Sequence, residues 1–273
     1  MKLRLDGKRK AQLIVVLLGG AALKLYYSAA TVNQLRWILA PTTLLVELIS
    51  RTRFEFESHA GYMSSDHTFL IAASCAGVNF LITAFLMLSL GGLWRNRSRK
   101  IPWRFIPATV LFAYLATIVA NTVRISTALQ LRDFSLGRSQ LSFDEVHRFE
   151  GIFIYFGFLL LLFLVSEKLP FGKRTQPLSP IARTDFLRRA LFPVLVYYGV
   201  TLAIPVVNGA YRRGTGFWEY SAFVLVIPWL LILPLAVFRF CKERYVETKL
   251  VKLPRKDWKS SHTITIARVI SSG

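Results

Sequence analysis

Three side chains of reactive or charged types lie in or beside otherwise apolar segments of this chain: Cys75, Arg124 and His147. An ionisable residue inside a membrane-length apolar segment is a functional candidate by default. Together these residue types can perform acyl transfer through a thioester. The thiolate of Cys75 would attack a carbonyl carbon, and the imidazole of His147 would take and return a proton. The guanidinium of Arg124 would favour the thiolate or bind the oxyanion.

Each of these residues also has a structural interpretation. A lone cysteine in a membrane helix is usually a small apolar filler, and a histidine at the entrance of a span is usually an interfacial residue. A structural role for Arg124 requires a carboxylate at its own depth, for which the chain offers Glu150 and Glu47. The functional interpretation therefore depends on whether the three residues meet.

The predicted depth of the residues supports such a meeting. Cys75 lies seven residues after Thr68 on one predicted span, and Arg124 lies seven residues before Leu131 on the next. At about 1.5 Å per residue, both would lie about 10 Å beneath the same membrane surface. His147 precedes a third span and would lie nearer that surface.

Two asparagines could support the site. Asn79 follows Cys75 by four residues and Asn121 precedes Arg124 by three, so each pair would share one face of a helix. Their amides could hold Arg124 or His147 in place, or they could form ordinary hydrogen bonds between helices.

Several acidic residues flank the candidates. Glu150, one turn after His147, is the best placed to orient the imidazole. Asp66 and His67 form an alternative acid–base pair, or a polar loop before a span. Segment 54–59 alternates polar and apolar residues, and we predict a loop there rather than an external edge.

The elements that must position these residues are membrane spans. Hydrophobic residues make up 53% of the 273, and they occur in blocks long enough to cross about 30 Å of hydrocarbon. We predict an all-α polytopic transmembrane bundle with about six spans: 11–29, 68–94, 103–131, 149–166, 190–207 and 217–238. Segment 35–50, which contains Arg36, Pro41 and Glu47, is predicted to be an interfacial or re-entrant helix.

The charge of the chain indicates its orientation. There are 35 Lys and Arg against 15 Asp and Glu, a formal net charge of +20. Basic and near-neutral connecting segments alternate, so the positive-inside rule places both termini in the cytoplasm and the candidate site on the extracytoplasmic side of the inner membrane. Because topology explains the positive charge, we predict no nucleic-acid partner.

Four regions follow from this reading: a catalytic membrane core (1–168), a basic cytoplasmic loop (169–189), a transmembrane hairpin (190–238) and a basic cytoplasmic tail (239–273). The first apolar segment is either a signal peptide or a retained span, and Lys24 near its end favours the span because it can snorkel. The two cysteines are 166 residues apart and exclude a disulfide framework and a thiolate-rich metal site. No cofactor is predicted.

Three short motifs occur in a fixed order: Ser-Cys-Ala-Gly around Cys75, Asn-x-x-Arg from Asn121 to Arg124, and His-x-x-x-Gly from His147 to Gly151. This set resembles the exosortase/archaeosortase family of membrane cysteine transpeptidases, and the run Ser-Cys-Ala-Gly-Val-Asn-Phe is similar to the exosortase K branch. The resemblance covers roughly residues 55–166.

The resemblance implies a function. Members of this family cleave a C-terminal sorting signal that consists of a motif, a transmembrane helix and a basic cluster. The resemblance implies that this chain does so through a thioester at Cys75. Family members then transfer the new carboxyl end to an acceptor, a lipid or surface glycan. Arg124 and His147 would complete the site, and the partners would be exported proteins and membrane lipid.

Two other functions stay open at the level of sequence. A carrier or channel for an anionic solute or lipid would use Arg124 along a polar path with discontinuous helices. A non-catalytic scaffold for surface polymer export would account for the basic tail but not for a buried Arg124 near Cys75 and His147.

Overall fold

The computed structural model describes residues 7–96, 101–135, 143–168, 183–203, 206, 212 and 216–251. Most of these residues are helical, which confirms the prediction of a helical, polytopic membrane protein. The longer α-helices within these ranges are α1 Gly7–Ala29, α2 Arg36–Ser50, α3 Val78–Arg95, α4 Phe105–Ser135, α5 Phe143–Lys168, α6 Arg183–Tyr198 and α7 Gly216–Val251.

Five helical stretches in the described ranges are long and apolar enough to cross a membrane: Gly7–Ala29, Ala73–Arg95, Phe105–Leu131, Phe149–Glu167 and Gly216–Phe238. The sixth predicted span, 190–207, corresponds in part to the shorter apolar stretch Arg189–Ala203. That stretch extends about 22 Å, less than the roughly 30 Å of a hydrocarbon core. The count of six spans and the position of both termini therefore stay predictions.

The chain divides into two compact units, one up to Ile232 and one from Leu233 onward. The second unit begins within α7 and contains its C-terminal end. Helix α6 begins inside the predicted basic loop, and α7 continues into the predicted tail. The remainder of those two predicted regions, 169–182 and 252–273, lies outside the described residues.

Helix α3 is at the centre of the first unit. It packs against α1, α4, α5 and α6. Within the apolar stretch that could cross a membrane, 67% of the residues are buried for α3, against 17% for α1. A helix that is apolar around its whole circumference is expected to be enclosed by other helices. Residues at its N-terminal end are therefore surrounded by side chains from several elements.

Helix α1 packs along α3. A Cβ atom at Gly20 would lie 3.0 Å from Leu86 Cδ2, so the glycine allows the two helices to approach closely. The buried side chain of Gln12 donates from Nε2 to the Ile101 carbonyl oxygen at 3.1 Å. The first helix is thus joined to the bundle by both apolar packing and a buried hydrogen bond.

Helix α2 matches the predicted helix at 35–50. It packs against α4 and buries one face, which includes Ile38, Leu39 and Val46. Its length of 15 residues corresponds to about 22 Å, too short to cross a bilayer without distortion. The location of α2 at the membrane–water interface stays a prediction.

A small antiparallel sheet lies between α2 and α3 in the chain. The sequence analysis predicted helices alone and missed this sheet. Its strands are β1 Phe54–Glu57, β2 Gly61–Ser64 and β3 Leu70–Ile71, in the order β1-β2-β3.

The prediction of a loop at 54–59 was wrong, since β1 occupies most of that segment. Phe54 is buried while Glu55 and Glu57 are exposed, the period-two pattern of a strand with one covered face. The Phe54 amide also donates to Glu47 Oε1 at 2.7 Å, which fixes the start of the strand.

The turn between β2 and β3 contains the alternative acid–base pair. The Asp66 carboxylate accepts hydrogen bonds from Thr68 Oγ1 at 2.6 Å and from Ser64 Oγ at 2.5 Å. His67 adopts a left-handed backbone conformation, with φ of 54°. Asp66 therefore stabilises the turn, which favours the structural interpretation of the pair.

We predict that Gly61→Ala destabilises the protein. Gly61 has a φ of 135°, and a Cβ atom there would overlap the carbonyl oxygen of Ile71 on the neighbouring strand. The strained backbone and the clash should lower the free energy of unfolding by about 1–3 kcal/mol. Thermal unfolding in detergent measures the effect, with Ser58→Ala in the adjacent turn as the control. Equal melting temperatures for the two variants would contradict the prediction.

Candidate functional site

Cys75 lies in a short 3₁₀ turn, Ala73–Ala76, between β3 and α3. The sequence analysis placed it on a continuous helix from residue 68, and this was wrong. The depth of Cys75 was calculated from the rise of that helix, so the calculation no longer holds. Gly77 adopts a left-handed conformation with φ of 69° and interrupts the backbone, so that α3 begins at Val78. The segment is apolar and small-residue-rich throughout, so hydropathy alone could not separate the turn from the helix.

Gly77 is required by space as well as by conformation. A Cβ atom there would lie 3.2 Å from Asn121 Cγ, 3.3 Å from Thr117 Cγ2 and 3.3 Å from the Tyr155 hydroxyl oxygen. L-residues rarely adopt this backbone conformation, and these neighbours would oppose any added side chain. The turn that contains Cys75 is therefore pressed directly against α4 and α5.

The buried amide of Asn121 fixes the Cys75 turn. Its Nδ2 donates to the carbonyl oxygen of Cys75 at 2.6 Å, and its Oδ1 accepts from the Tyr155 hydroxyl at 2.7 Å. Arg124 Nη1 in turn donates to the Tyr155 hydroxyl oxygen at 3.3 Å. A continuous chain of hydrogen bonds thus runs from the guanidinium to the backbone of the cysteine.

Arg124 occupies a fitted position between α4 and α5. A Cβ atom at Gly151 would lie 2.9 Å from Arg124 Nε, so only glycine leaves room for the side chain. The guanidinium carbon lies 5.3 Å from the centroid of the Tyr155 ring, within the range of a cation–π contact. Arg124 also interacts electrostatically with Cys75 and with Glu150.

The structure therefore brings Cys75, Asn121, Arg124 and Glu150 into one region. Asn121 does not hold Arg124 directly, as one reading of the sequence proposed, but reaches it through Tyr155. Glu150 was expected to orient His147. It interacts electrostatically with Arg124 and with Tyr155. The interaction with Arg124 provides the carboxylate that a membrane arginine requires.

Asn79 is placed differently from the prediction. Because Gly77 interrupts the helix, Asn79 does not share a helical face with Cys75, and it is exposed. Its Oδ1 accepts a hydrogen bond from Lys24 Nζ of α1 at 2.8 Å. The amide therefore contacts the first helix rather than Arg124.

His147 belongs to α5, one turn before Gly151. Its side chain lies outside the described part of the structure, so its predicted contact with Cys75 stays a prediction. The backbone position alone puts it on the face of α5 that also carries Gly151 and Tyr155, since the three residues are spaced four apart.

A cavity of about 290 Å³ opens beside the cysteine turn. Ser74 and Gly77, on either side of Cys75, contribute to its wall. The other polar groups that line it come from six α-helices (α1 and α3–α7) and from the short π-helix Gly199–Ala203 that follows α6. They are Lys24, Tyr27, Asn79, Thr83, Arg124, Tyr155, Tyr197, Thr201 and Tyr220. Within the described residues, no group of three or more His, Cys, Asp or Glu side chains is arranged to hold a metal ion.

Sequence analysis missed most of the polar residues of this cavity, among them Tyr155, Lys24 and Tyr27. A signal for Tyr155 was present in the four-residue spacing from Gly151, but a tyrosine in an apolar span is usually a packing residue. Tyr27 donates to the Ala73 carbonyl oxygen at 3.5 Å, at the start of the cysteine turn. No local pattern could have shown that α1 lies against this turn.

A second cavity, of about 110 Å³, lies near the C-terminal end of α3 and is mostly apolar. Its polar residues include Arg95, which donates from Nη2 to Ser166 Oγ at 3.1 Å. Its lining contains none of the six residues that the sequence analysis singled out. The cavity beside Cys75 is therefore the better candidate for the reaction.

Comparison with known proteins gives one match. The family model for transmembrane exosortases matches residues 22–164, from the second half of α1 to near the end of α5. No curated protein and no solved structure matches the chain. The matched region contains Cys75, Arg124 and His147, and it is more than half of the 273 residues. The chain thus belongs to the transmembrane exosortase family.

Proposed function

We propose that this protein is a membrane cysteine transpeptidase that cleaves a C-terminal sorting signal on the outer side of the membrane. The observation that carries the proposal is the chain of hydrogen bonds that joins Arg124, Tyr155, Asn121 and the Cys75 carbonyl beside an open cavity. A cavity with a fixed cation next to a cysteine suits a reaction that develops negative charge on sulfur and then on oxygen.

The nucleophile would be Cys75. It precedes the N-cap residue of α3 by two positions, so its backbone lies next to the positive end of a helix dipole, a position that reactive cysteines occupy in other proteins. Arg124 adds a full positive charge in the same region.

The reaction would proceed in two acyl transfers. His147 takes the Cys75 proton, and the thiolate attacks the scissile carbonyl carbon to form a C–S bond. The tetrahedral oxyanion lies near Arg124, and its collapse breaks the C–N bond while His147 returns the proton to the leaving amine. A hydroxyl or amine of the acceptor, a lipid or surface glycan, then attacks the thioester carbonyl carbon while His147 takes its proton. The C–S bond breaks, and His147 returns the proton to the Cys75 sulfur.

Two features favour this function over a carrier or channel. The candidate site lies at one end of α3, and the following residues of that helix, from Phe80 to Leu88, are mainly buried and apolar. In addition, α4 and α5 run without interruption past Arg124 and Gly151, whereas the binding site of a carrier is typically formed by discontinuous helices near the bilayer midplane.

The first prediction concerns the nucleophile. Cells that co-express the protein with a tagged reporter should convert the reporter to a shorter form; the reporter carries a motif, a transmembrane helix and a basic cluster at its C-terminus. Cys75→Ser should abolish this conversion, a loss of at least about 10³-fold, because a serine hydroxyl is not activated at this site. Immunoblots of reporter and enzyme measure the effect.

Cys241→Ser is the matched control, since Cys241 is exposed and far along the chain from the cavity. It should process the reporter at the rate of the unaltered protein. Continued cleavage by the Cys75→Ser protein at normal expression would refute the assignment of the nucleophile.

The second prediction concerns Tyr155. Tyr155→Phe keeps the ring that stacks on Phe80 but removes the hydroxyl that joins Arg124 to Asn121. The buried Asn121 oxygen then loses its donor, at a cost of about 1–3 kcal/mol, and Arg124 loses the hydroxyl to which it donates. Reporter cleavage should slow by about 10- to 100-fold.

Tyr26→Phe provides the control for this prediction, because that exposed tyrosine also donates one hydrogen bond to a backbone carbonyl, of Gln34. It should cleave the reporter normally. Equal rates for both variants would show that the hydroxyl of Tyr155 does not position the site.

The third prediction concerns topology. A membrane-impermeant maleimide applied to intact spheroplasts should label Cys75 on the outer side, and it should label Cys241 only after permeabilisation. Single-cysteine variants, Cys241→Ser and Cys75→Ser, report each site separately. Labelling with the reverse sidedness would overturn the proposed orientation.

A further inference from the structure

Lys24 is a cation in the wall of the reaction cavity for which the proposed acyl transfer has no role. It lies on α1, five residues before the end of that helix at Ala29. Its ammonium donates to Asn79 Oδ1 at 2.8 Å and lies 5.7 Å from the centroid of the Tyr27 ring. Both of these partners are neutral.

The two cations of the cavity differ in their surroundings. Arg124 interacts electrostatically with the Glu150 carboxylate, so its charge is at least partly balanced by the protein. Lys24 contacts an amide and an aromatic ring, and none of the described residues that line the cavity is Asp or Glu. The cavity therefore carries one positive charge that the described wall does not balance.

An unbalanced ammonium in a partly enclosed site is costly to keep unless a ligand uses it. The surrounding groups suit an oxyanion: the hydroxyls of Tyr197 and Tyr220 and the Nδ2 group of Asn79 can donate hydrogen bonds to carboxylate oxygens. A group bound by Lys24 would lie one helical turn from the Cys75 turn, because Asn79 is in the first turn of α3.

We propose that Lys24 and Asn79 form an anion subsite that binds a side-chain carboxylate of the peptide substrate, close to the bond that Cys75 attacks. The proposal rests on the proposed function and deepens it, since it names a specificity-determining residue. One unbalanced positive charge matches a carboxylate monoanion. A volume of about 290 Å³ accommodates a few residues of an extended peptide and is at the small end of ligand sites.

One consequence concerns α1. If Lys24 recognises the substrate, the first helix is a permanent wall of the cavity and is not removed as a signal peptide. The close packing of Gly20 on α3 and the contact of Tyr27 with the cysteine turn agree with this consequence. The family match also begins before Lys24, at residue 22.

The charge of the subsite can be tested without a substrate. In the purified full-length Cys241→Ser protein, Cys75 is the remaining thiol. It is labelled with two methanethiosulfonate reagents of similar size, one an anionic sulfonate and one a cationic trimethylammonium. The rates at which the two reagents modify Cys75 report the local electrostatic potential. The ratio of the anionic to the cationic rate should fall about tenfold in Lys24→Met, because one of the two cations of the cavity is lost. Lys24→Arg should keep the ratio.

The matched control is Lys10→Met, an exposed lysine of the same helix that lies 14 residues, or about 21 Å, away. It removes the same charge but should leave the ratio unchanged. An unchanged ratio in Lys24→Met overturns the proposal, because it excludes an effect of charge. An equal decrease of the labelling rate with both reagents also overturns it, because it indicates a structural role for Lys24. Equal falls in Lys10→Met and Lys24→Met overturn it as well.

A second experiment identifies the occupant. For a reporter that the unaltered protein cleaves, each Asp and Glu before the transmembrane helix is replaced by Asn or Gln. One replacement should slow cleavage by the unaltered protein about tenfold and have no further effect in Lys24→Met, since both changes remove the same interaction. Independent effects of the two changes contradict the carboxylate subsite.

A lipid phosphate is the competing occupant, and reconstitution separates it from the peptide. If phosphatidylglycerol added to phosphatidylcholine vesicles slows the labelling of Cys75 in the unaltered protein but not in Lys24→Met, the subsite binds a headgroup and the carboxylate proposal is wrong. Failure of the proposed function is distinguishable from either result, because cleavage would then persist in Cys75→Ser while the labelling ratio still depended on Lys24.

Discussion

The site depends on the buried amide of Asn121, which satisfies a donor and an acceptor from two different elements at once. Its Nδ2 binds the Cys75 carbonyl and its Oδ1 binds the Tyr155 hydroxyl. An amide that lost either partner would leave a polar atom unpaired in a low-dielectric interior. The two bonds together fix the orientation of the amide, and they fix the cysteine turn relative to α4 and α5.

The surrounding fold creates the space in which this amide acts. Gly77 turns the chain sharply before α3, and its lack of a side chain lets the turn contact α4 and α5. Gly151 of α5 similarly leaves room for the side chain of Arg124, which belongs to α4. The sheet leads directly into this turn, since β3 ends two residues before the turn begins. Small residues thus appear where backbones or long side chains must come within contact distance, as is common between membrane helices.

The sequence predicted those features that depend on local composition and motif. Long apolar blocks gave the helical membrane fold, and the motifs around Cys75, Arg124 and His147 indicated the family to which the chain belongs. The predictions from the sequence were wrong where the structure depends on the backbone conformation of a single residue. Residues 68–77 are as apolar as a helix, so a strand and a turn there, set by Gly77 and by pairing with β2, were not visible. Nor were Lys24 and Tyr155, whose positions depend on how distant helices pack.

In the proposed function, the charges of this cavity serve the reaction at the expense of stability. An arginine and a lysine in apolar helices each carry a desolvation cost that a purely structural bundle would avoid. Here the protein offsets part of that cost for Arg124 with Glu150, the Tyr155 hydroxyl and the Tyr155 ring. The same low dielectric that makes the charges costly also strengthens their attraction for a thiolate or an oxyanion. A bundle that retains both cations beside a cysteine is therefore better explained by negative charge that develops and departs during a reaction than by packing.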